Sequence, residues 1–167
     1  MSNTLPSTNT SPSTNTSPSN VAEVDVRGPR FAAWITTFVL AAVLIVSAFS
    51  YPAAAIVLGL QAVVFAIGAA GGPRRHPYGR LFAAVAAPRL GPVTEREPIP
   101  PLKFAQLVGF IFAVVGTAGF VSPAPLVGIV ATAGALVAAF LNAAFGICLG
   151  CQIYPLVAHL RRTPRPA

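Results

Sequence analysis

The chain holds two cysteines, and they stand three apart in Cys148-Leu149-Gly150-Cys151, a rare spacing for two residues placed at random among 167. On a helix, positions i and i+3 share a face, so the two sulfurs can close a disulfide or share one ligand. The thiolate is both the attacking form of cysteine and its metal-binding form. Cys148 and Cys151 are therefore the candidate redox pair. Asn142, Tyr154, His159, Arg161 and Arg162 surround them in sequence and are the candidate supporting residues. Asn142 is placed to orient the site, and the three basic side chains are placed to favour a thiolate.

Two other readings of the pair stand beside the redox one. Free cysteine also behaves as a small buried hydrophobe. A metal would draw on His76 and His159, the only imidazoles, but zinc generally takes four Cys or His ligands. The Cys151–His159 spacing matches no familiar zinc pattern, and His76-Pro77 reads equally well as a turn. No cofactor is expected. A quinone or a metal stays open as electron acceptor or ligand, with no residue pattern supporting either.

The elements that position the pair are apolar. Hydrophobic residues make up 54% of the chain and charged residues 9%, against about 25% charge in a soluble domain. Spanning a bilayer core of about 30 Å takes about 20 apolar residues of helix. Four stretches qualify, at about 31–51, 53–70, 104–121 and 125–149, and none contains Lys, Arg, Asp or Glu apart from their flanks. The runs are continuously apolar rather than alternating, which argues against barrel strands. The first is too long and too far from the start for a cleaved signal peptide. The expected fold is all-α: a polytopic membrane protein of four transmembrane helices in two hairpins. A short interfacial helix is expected in the central loop, over 78–87.

All eleven Lys and Arg fall in three places: Arg27 and Arg30, the loop 74–103, and Arg161, Arg162 and Arg165. The positive-inside rule then puts both termini and the central loop in the cytoplasm of a bacterial inner membrane. The net charge of +7 forms one basic face beside anionic lipid. No nucleic-acid partner is expected, because basic residues interleaved with aromatics on a soluble surface are missing. The lipid bilayer is the first partner, and four helices of this size are compatible with a homodimer.

The chain divides into a leader at 1–22, a membrane domain at 23–162 and a basic tail at 163–167. The leader repeats Pro-Ser-Thr-Asn-Thr-Ser, a composition that cannot bury enough apolar area to offset ordering entropy. Pro52, Pro123 and Pro125 mark the two hairpin turns. Trp34, Tyr51 and Tyr154 fall near span ends, as interfacial aromatics do. Gly134, Ala138, Asn142, Gly146 and Gly150 recur every four residues in helix four, beside Ala131, Ala135, Ala139 and Ala143, and helix three offers Ala105, Gly109, Ala113 and Thr117. That spacing predicts a close-packed helix seam. Gln61, Gln106 and Asn142 are expected to make helix–helix hydrogen bonds.

An unbroken helix four would put the pair near its C-terminus, where the helix dipole opposes a thiolate. Gly146 and Gly150 flank the motif, and Pro155 cannot donate a hydrogen bond back to Cys151, so the helix can break and restart here. If it does not, about 100° per residue turns both cysteines away from the Asn142 stripe.

Residues 23–162 resemble a bacterial membrane family catalogued as domain of unknown function 4395. The resemblance rests on Val24-Asp25-Val26-Arg27-Gly28-Pro29-Arg30, on His76-Pro77, and on Asn142 with Phe145-Gly146-Ile147-Cys148-Leu149-Gly150-Cys151 and Tyr154. It brings no established activity. It implies an association with thioredoxin-like and sulfurtransferase proteins, and hence one of these as a partner. The leading functional expectation is a thiol–disulfide or sulfur-relay accessory in which Cys148 or Cys151 attacks a partner's disulfide or persulfide. One pair cannot relay electrons alone, so it must exchange with a partner protein, a quinone or a small thiol. The alternative is a non-catalytic membrane scaffold or assembly subunit. A transporter is disfavoured, because no buried charge marks an ion path.

Overall fold

A computed structural model of the protein describes residues 22–160. The Ser/Thr-rich leader, Arg161, Arg162 and the basic tail lie outside the described residues, and so do the expectations that rest on them. The chain runs through β1 (Glu23–Asp25), α1 (Arg27–Ser47), α2 (Tyr51–Gly71), α3 (Pro77–Leu81), β2 (Arg96–Pro98), α4 (Ile99–Val121), α5 (Pro125–Phe145) and α6 (Leu149–Leu160). Four of these, α1, α2, α4 and α5, are long and apolar enough to cross a membrane. The all-α polytopic fold is as expected.

Local chemistry sets the helix ends. The Ser50 side chain caps α2 by accepting from the Ala53 N–H at 3.3 Å, with Pro52 in the first turn. Gly72 closes α2 with φ of +74°, donating its N–H to the Gly68 carbonyl. Pro100 and Pro101 form the first turn of α4. Their missing N–H groups cost nothing there, since first-turn donors have no helical partner.

The core lies where α2 packs on α4 and α4 on α5, with α1 closing against α5. Leu40, Val43, Leu58, Phe65, Ala113 and Phe120 fill it. Small residues set the approach. A Cβ on Gly109 would come within 2.9 Å of the Phe65 ring, and one on Gly116 within 2.7 Å of Leu58. Outward side chains are large and apolar: Phe38 is 67% exposed, Leu60 65% and Leu126 70%. An apolar exterior around four spanning-length helices is what lipid stabilises and water does not.

The central segment differs from the expected single helix over 78–87. It is one turn of α-helix, then a π-helical turn at Phe82–Ala86 and a 3-10 turn at Ala87–Arg89. Phe82 anchors it, buried, with its ring 5.7 Å from Phe31 on α1. β1 and β2, far apart in sequence, pair as a short two-stranded antiparallel ribbon, Val24 opposite Glu97. Asp25 accepts from the Arg27 backbone N–H and from its guanidinium, which also reaches the Gly91 carbonyl. The Arg27 side chain holds the Asp25 carboxyl below its ordinary pKa, against a smaller opposing effect of burial. The ribbon thus ties the start of α1 to the start of α4, beside α3.

Candidate functional site

The cysteine pair stands at a break between two helices. α5 ends at Phe145, before the expected boundary at 149, because Gly146 adopts φ of +70° and ψ of +13°. Glycine takes that left-handed conformation without a Cβ penalty. The Gly146 N–H donates to the Asn142 carbonyl at 3.1 Å and the Ile147 N–H to the Leu141 carbonyl at 3.2 Å, satisfying the last turn of α5. The chain then restarts as α6, which the sequence reading did not separate from helix four.

Cys148 precedes the first residue of α6 and acts as its cap. Its carbonyl accepts from the Gln152 N–H at 3.1 Å, and its Sγ accepts from the Cys151 N–H at 3.3 Å. Capping usually falls to an oxygen side chain; here a sulfur does it. Cys148 and Cys151 are at disulfide distance, with Cα atoms 5.2 Å apart. The break therefore puts the pair at a helix N-terminus, where free N–H groups and the dipole favour negative charge. Of the two courses the sequence leaves open, an unbroken helix or a break and restart, Gly146 sets the break. Gly150 lies inside α6 and does not break it.

α6 is held by α4. A Cβ on Gly150 would come within 2.6 Å of the Ala105 Cα, so the helix lies directly on that backbone. The Tyr154 ring sits 5.9 Å from the Phe104 ring one turn further on. Pro155 interrupts the helical hydrogen bonding that would otherwise return to the Cys151 carbonyl. His159 is exposed in the last turn. Eight residues of helix separate it from Cys151, roughly 12 Å along the axis. The structure brings Asn142 and Tyr154 to the pair's neighbourhood and leaves His159 away from it.

A cavity of about 290 Å³ opens beside the pair, lined among others by Gln106, Gly109, Ala138, Asn142, Cys148 and Gly150. The expected packing stripe divides here. Helix four packs through Gly128, Ala131, Thr132 and Ala143, which are buried, while Gly134, buried Ala135, Ala138 and Asn142 line the cavity. Gln61 makes a helix–helix bond, as expected, though to the short α3: its Oε1 accepts from the Tyr78 hydroxyl, 2.7 Å away.

His76 sits in a turn before Pro77, as its sequence reads, but it is only 2% exposed, a burial the sequence did not signal. Its ring lies 5.2 Å from that of Tyr78, and neither of its nitrogens has a hydrogen-bond partner. Gln61 Nε2 and Gln106 Oε1 are likewise buried and unpartnered. Burial pushes the His76 imidazole below its ordinary pKa, with the neighbouring Gln106 carboxamide pulling weakly the other way. The same burial raises the Tyr78 phenol. Among the described residues, no group of three or more His, Cys, Asp or Glu is placed to hold a metal ion.

A family model, Domain of unknown function (DUF4395), matches residues 24–159. The chain belongs to this family. Nothing matched among curated proteins or solved structures. The three segments that carried the resemblance acquire structural roles in this DUF4395 protein. Residues 24–30 form most of β1 and the first turn of α1, His76-Pro77 starts α3, and residues 142–151 make the helix break and the sulfur cap.

Proposed function

We propose that this DUF4395 protein is a membrane thiol–disulfide or sulfur-relay accessory whose working groups are Cys148 and Cys151. The carrying observation is the break at Gly146, which turns the CxxC segment from the tail of one helix into the head of another. Cys148 is the attacking sulfur in this reading. It caps α6 and receives the Cys151 N–H, an arrangement that stabilises a thiolate by hydrogen bonding and by the helix dipole. Cys151, one turn into the helix, resolves the mixed disulfide.

The site lies at the membrane end that carries α3, the β1–β2 ribbon and every Lys and Arg among the described residues. We place that end in the cytoplasm of an inner membrane by the positive-inside rule. Thiols there are kept reduced, so the disulfide is a transient state of the cycle. The partner is a thioredoxin-like or sulfurtransferase protein that delivers a disulfide, dithiol or persulfide to Cys148.

The test is a trapping experiment. In cells carrying Cys151→Ser, Cys148 should accumulate mixed disulfides with a discrete protein, visible as adducts lost on reduction. Cys148→Ser should give none. Equal trapping by both variants, or by neither, would remove the proposed division of labour. A scaffold, by contrast, would keep a fixed partner after both cysteines are replaced.

A further inference from the structure

The pair needs an electron acceptor, and the chain supplies no second pair of cysteines to relay to. The cavity beside Cys148 is amphiphilic along its length. At its polar end stand Cys148, Asn142 and Gln106; deeper along α4 and α5 it is walled by Phe112, Gly134 and Ala135. Residues 106 to 112 of a helix cover roughly 9 Å and residues 142 to 134 roughly 12 Å, so the space runs inward from the membrane surface. It adjoins a second cavity of about 270 Å³ across a shared wall of Pro29, Leu102 and Gln106, and His76 lines that one. His76, 2% exposed, has two unpartnered ring nitrogens, and Gln106 Oε1 is unpartnered between the two spaces. A buried polar atom without a partner costs on the order of 1–3 kcal/mol. Gln106 Oε1, on the wall of the cavity beside Cys148, is open to a ligand that donates a hydrogen bond.

We propose that the acceptor is a membrane quinone, its ring against Cys148 and its tail along the apolar depth of the cavity; the proposal rests on the thiol-redox reading of the pair. A quinone accepts at two carbonyl oxygens and, as hydroquinone, donates from two hydroxyls, one of which suits Gln106 Oε1 on the cavity wall. The small side chains of Gly109, Gly134 and Ala138 leave room for a flat ring. The reaction balances. The Cys148 thiolate adds to a ring carbon, and the ring oxygen takes a proton. The Cys151 thiolate then attacks the Cys148 sulfur, forming the S–S bond as the S–C bond breaks. The electron pair of that bond stays on the ring, which takes a second proton and leaves as hydroquinone. Two thiols lose two electrons and two protons, and one quinone gains them.

The full chain, reduced and placed in lipid nanodiscs, is mixed with decylubiquinone or, separately, with glutathione disulfide. The expected result is a Cys148–Cys151 disulfide formed with each, with loss of quinone absorbance in equal amount in the first. Ala138→Leu, which fills the cavity without touching the sulfurs, should slow the quinone reaction by about tenfold or more and leave the glutathione reaction unchanged. Oxidation by glutathione disulfide with none by quinone overturns the quinone assignment and leaves the thiol reading standing. Failure with both oxidants in folded protein overturns both. Equal quinone rates in wild type and Ala138→Leu overturn the cavity as the site.

Discussion

Cys148 and Cys151 differ in what their backbone does. Cys148 caps α6 and its sulfur receives an N–H; Cys151 supplies that N–H from inside the first turn. The thiolate advantage therefore belongs to one of them. With a single cysteine left in place, Cys148 in the Cys151→Ser protein should alkylate about tenfold faster at neutral pH than Cys151 in the Cys148→Ser protein. Rates measured with a slow alkylating reagent check this. Asp25 offers a separate test. Its carboxyl is held below the ordinary range chiefly by the Arg27 hydrogen bond, so the ion pair's contribution is complete above the ordinary carboxylate pKa. It is lost as pH falls through the lowered folded value. Asp25→Asn should be less stable than wild type near neutrality and lose that difference in acid, followed by unfolding in detergent across pH. The chemistry-bearing types were legible at this scale, because two cysteines three apart stand out in any chain. The role of His76 was not. A histidine before a proline reads as a turn whether it is solvated or, as here, sealed under Gly68 and Gln106.

The helix break matters most among the elements. Gly146 stands at φ of +70°, where an L side chain costs about 1–2 kcal/mol. Gly146→Ala should destabilise the protein by about that amount and favour continuation of α5 toward the cysteines. Its disulfide should then form more slowly with glutathione disulfide than that of wild type. Gly150 tests the seat of α6. Added bulk there meets the Ala105 backbone within 2.6 Å, and overpacking of this kind costs about 1–3 kcal/mol. Gly150→Val should loosen α6 from α4 and raise the alkylation of both reduced cysteines in folded protein. The sequence could offer the break at Gly146 only as one option, since a glycine every four residues equally describes a packing seam. The β1–β2 pairing left no signal either, since its strands lie far apart in sequence. Three-residue strands, one ending at Pro98, are too short for period-two alternation to register.

Across the whole molecule, one end is apolar and the other carries the charge and the chemistry. Both tight turns, at Ser50 and Ser122, fall at the end away from the β1–β2 ribbon, α3 and α6. The four-helix count was readable because long uncharged runs have few other uses. The way the helices pack was only partly readable: the Gly134–Ala138–Asn142 stripe resembles a seam in sequence, and only the third dimension turns it into a cavity wall. In a Cys148→Ser/Cys151→Ser background, a cysteine placed at Ser122 should react with a membrane-impermeant reagent on intact spheroplasts, and one placed at Gly91 should not. The reverse pattern would invert the proposed orientation.

The central claim is that Cys148 and Cys151 cycle between dithiol and disulfide in the membrane. The most direct measurement traps thiols in intact membranes with a mass-tagged alkylating reagent, before and after a mild oxidant and again after a reductant. The account predicts two tags at rest, none after oxidation and two again after reduction, with the protein folded throughout. Two tags under every condition, in a protein that stays folded, would contradict it and leave the pair a structural one.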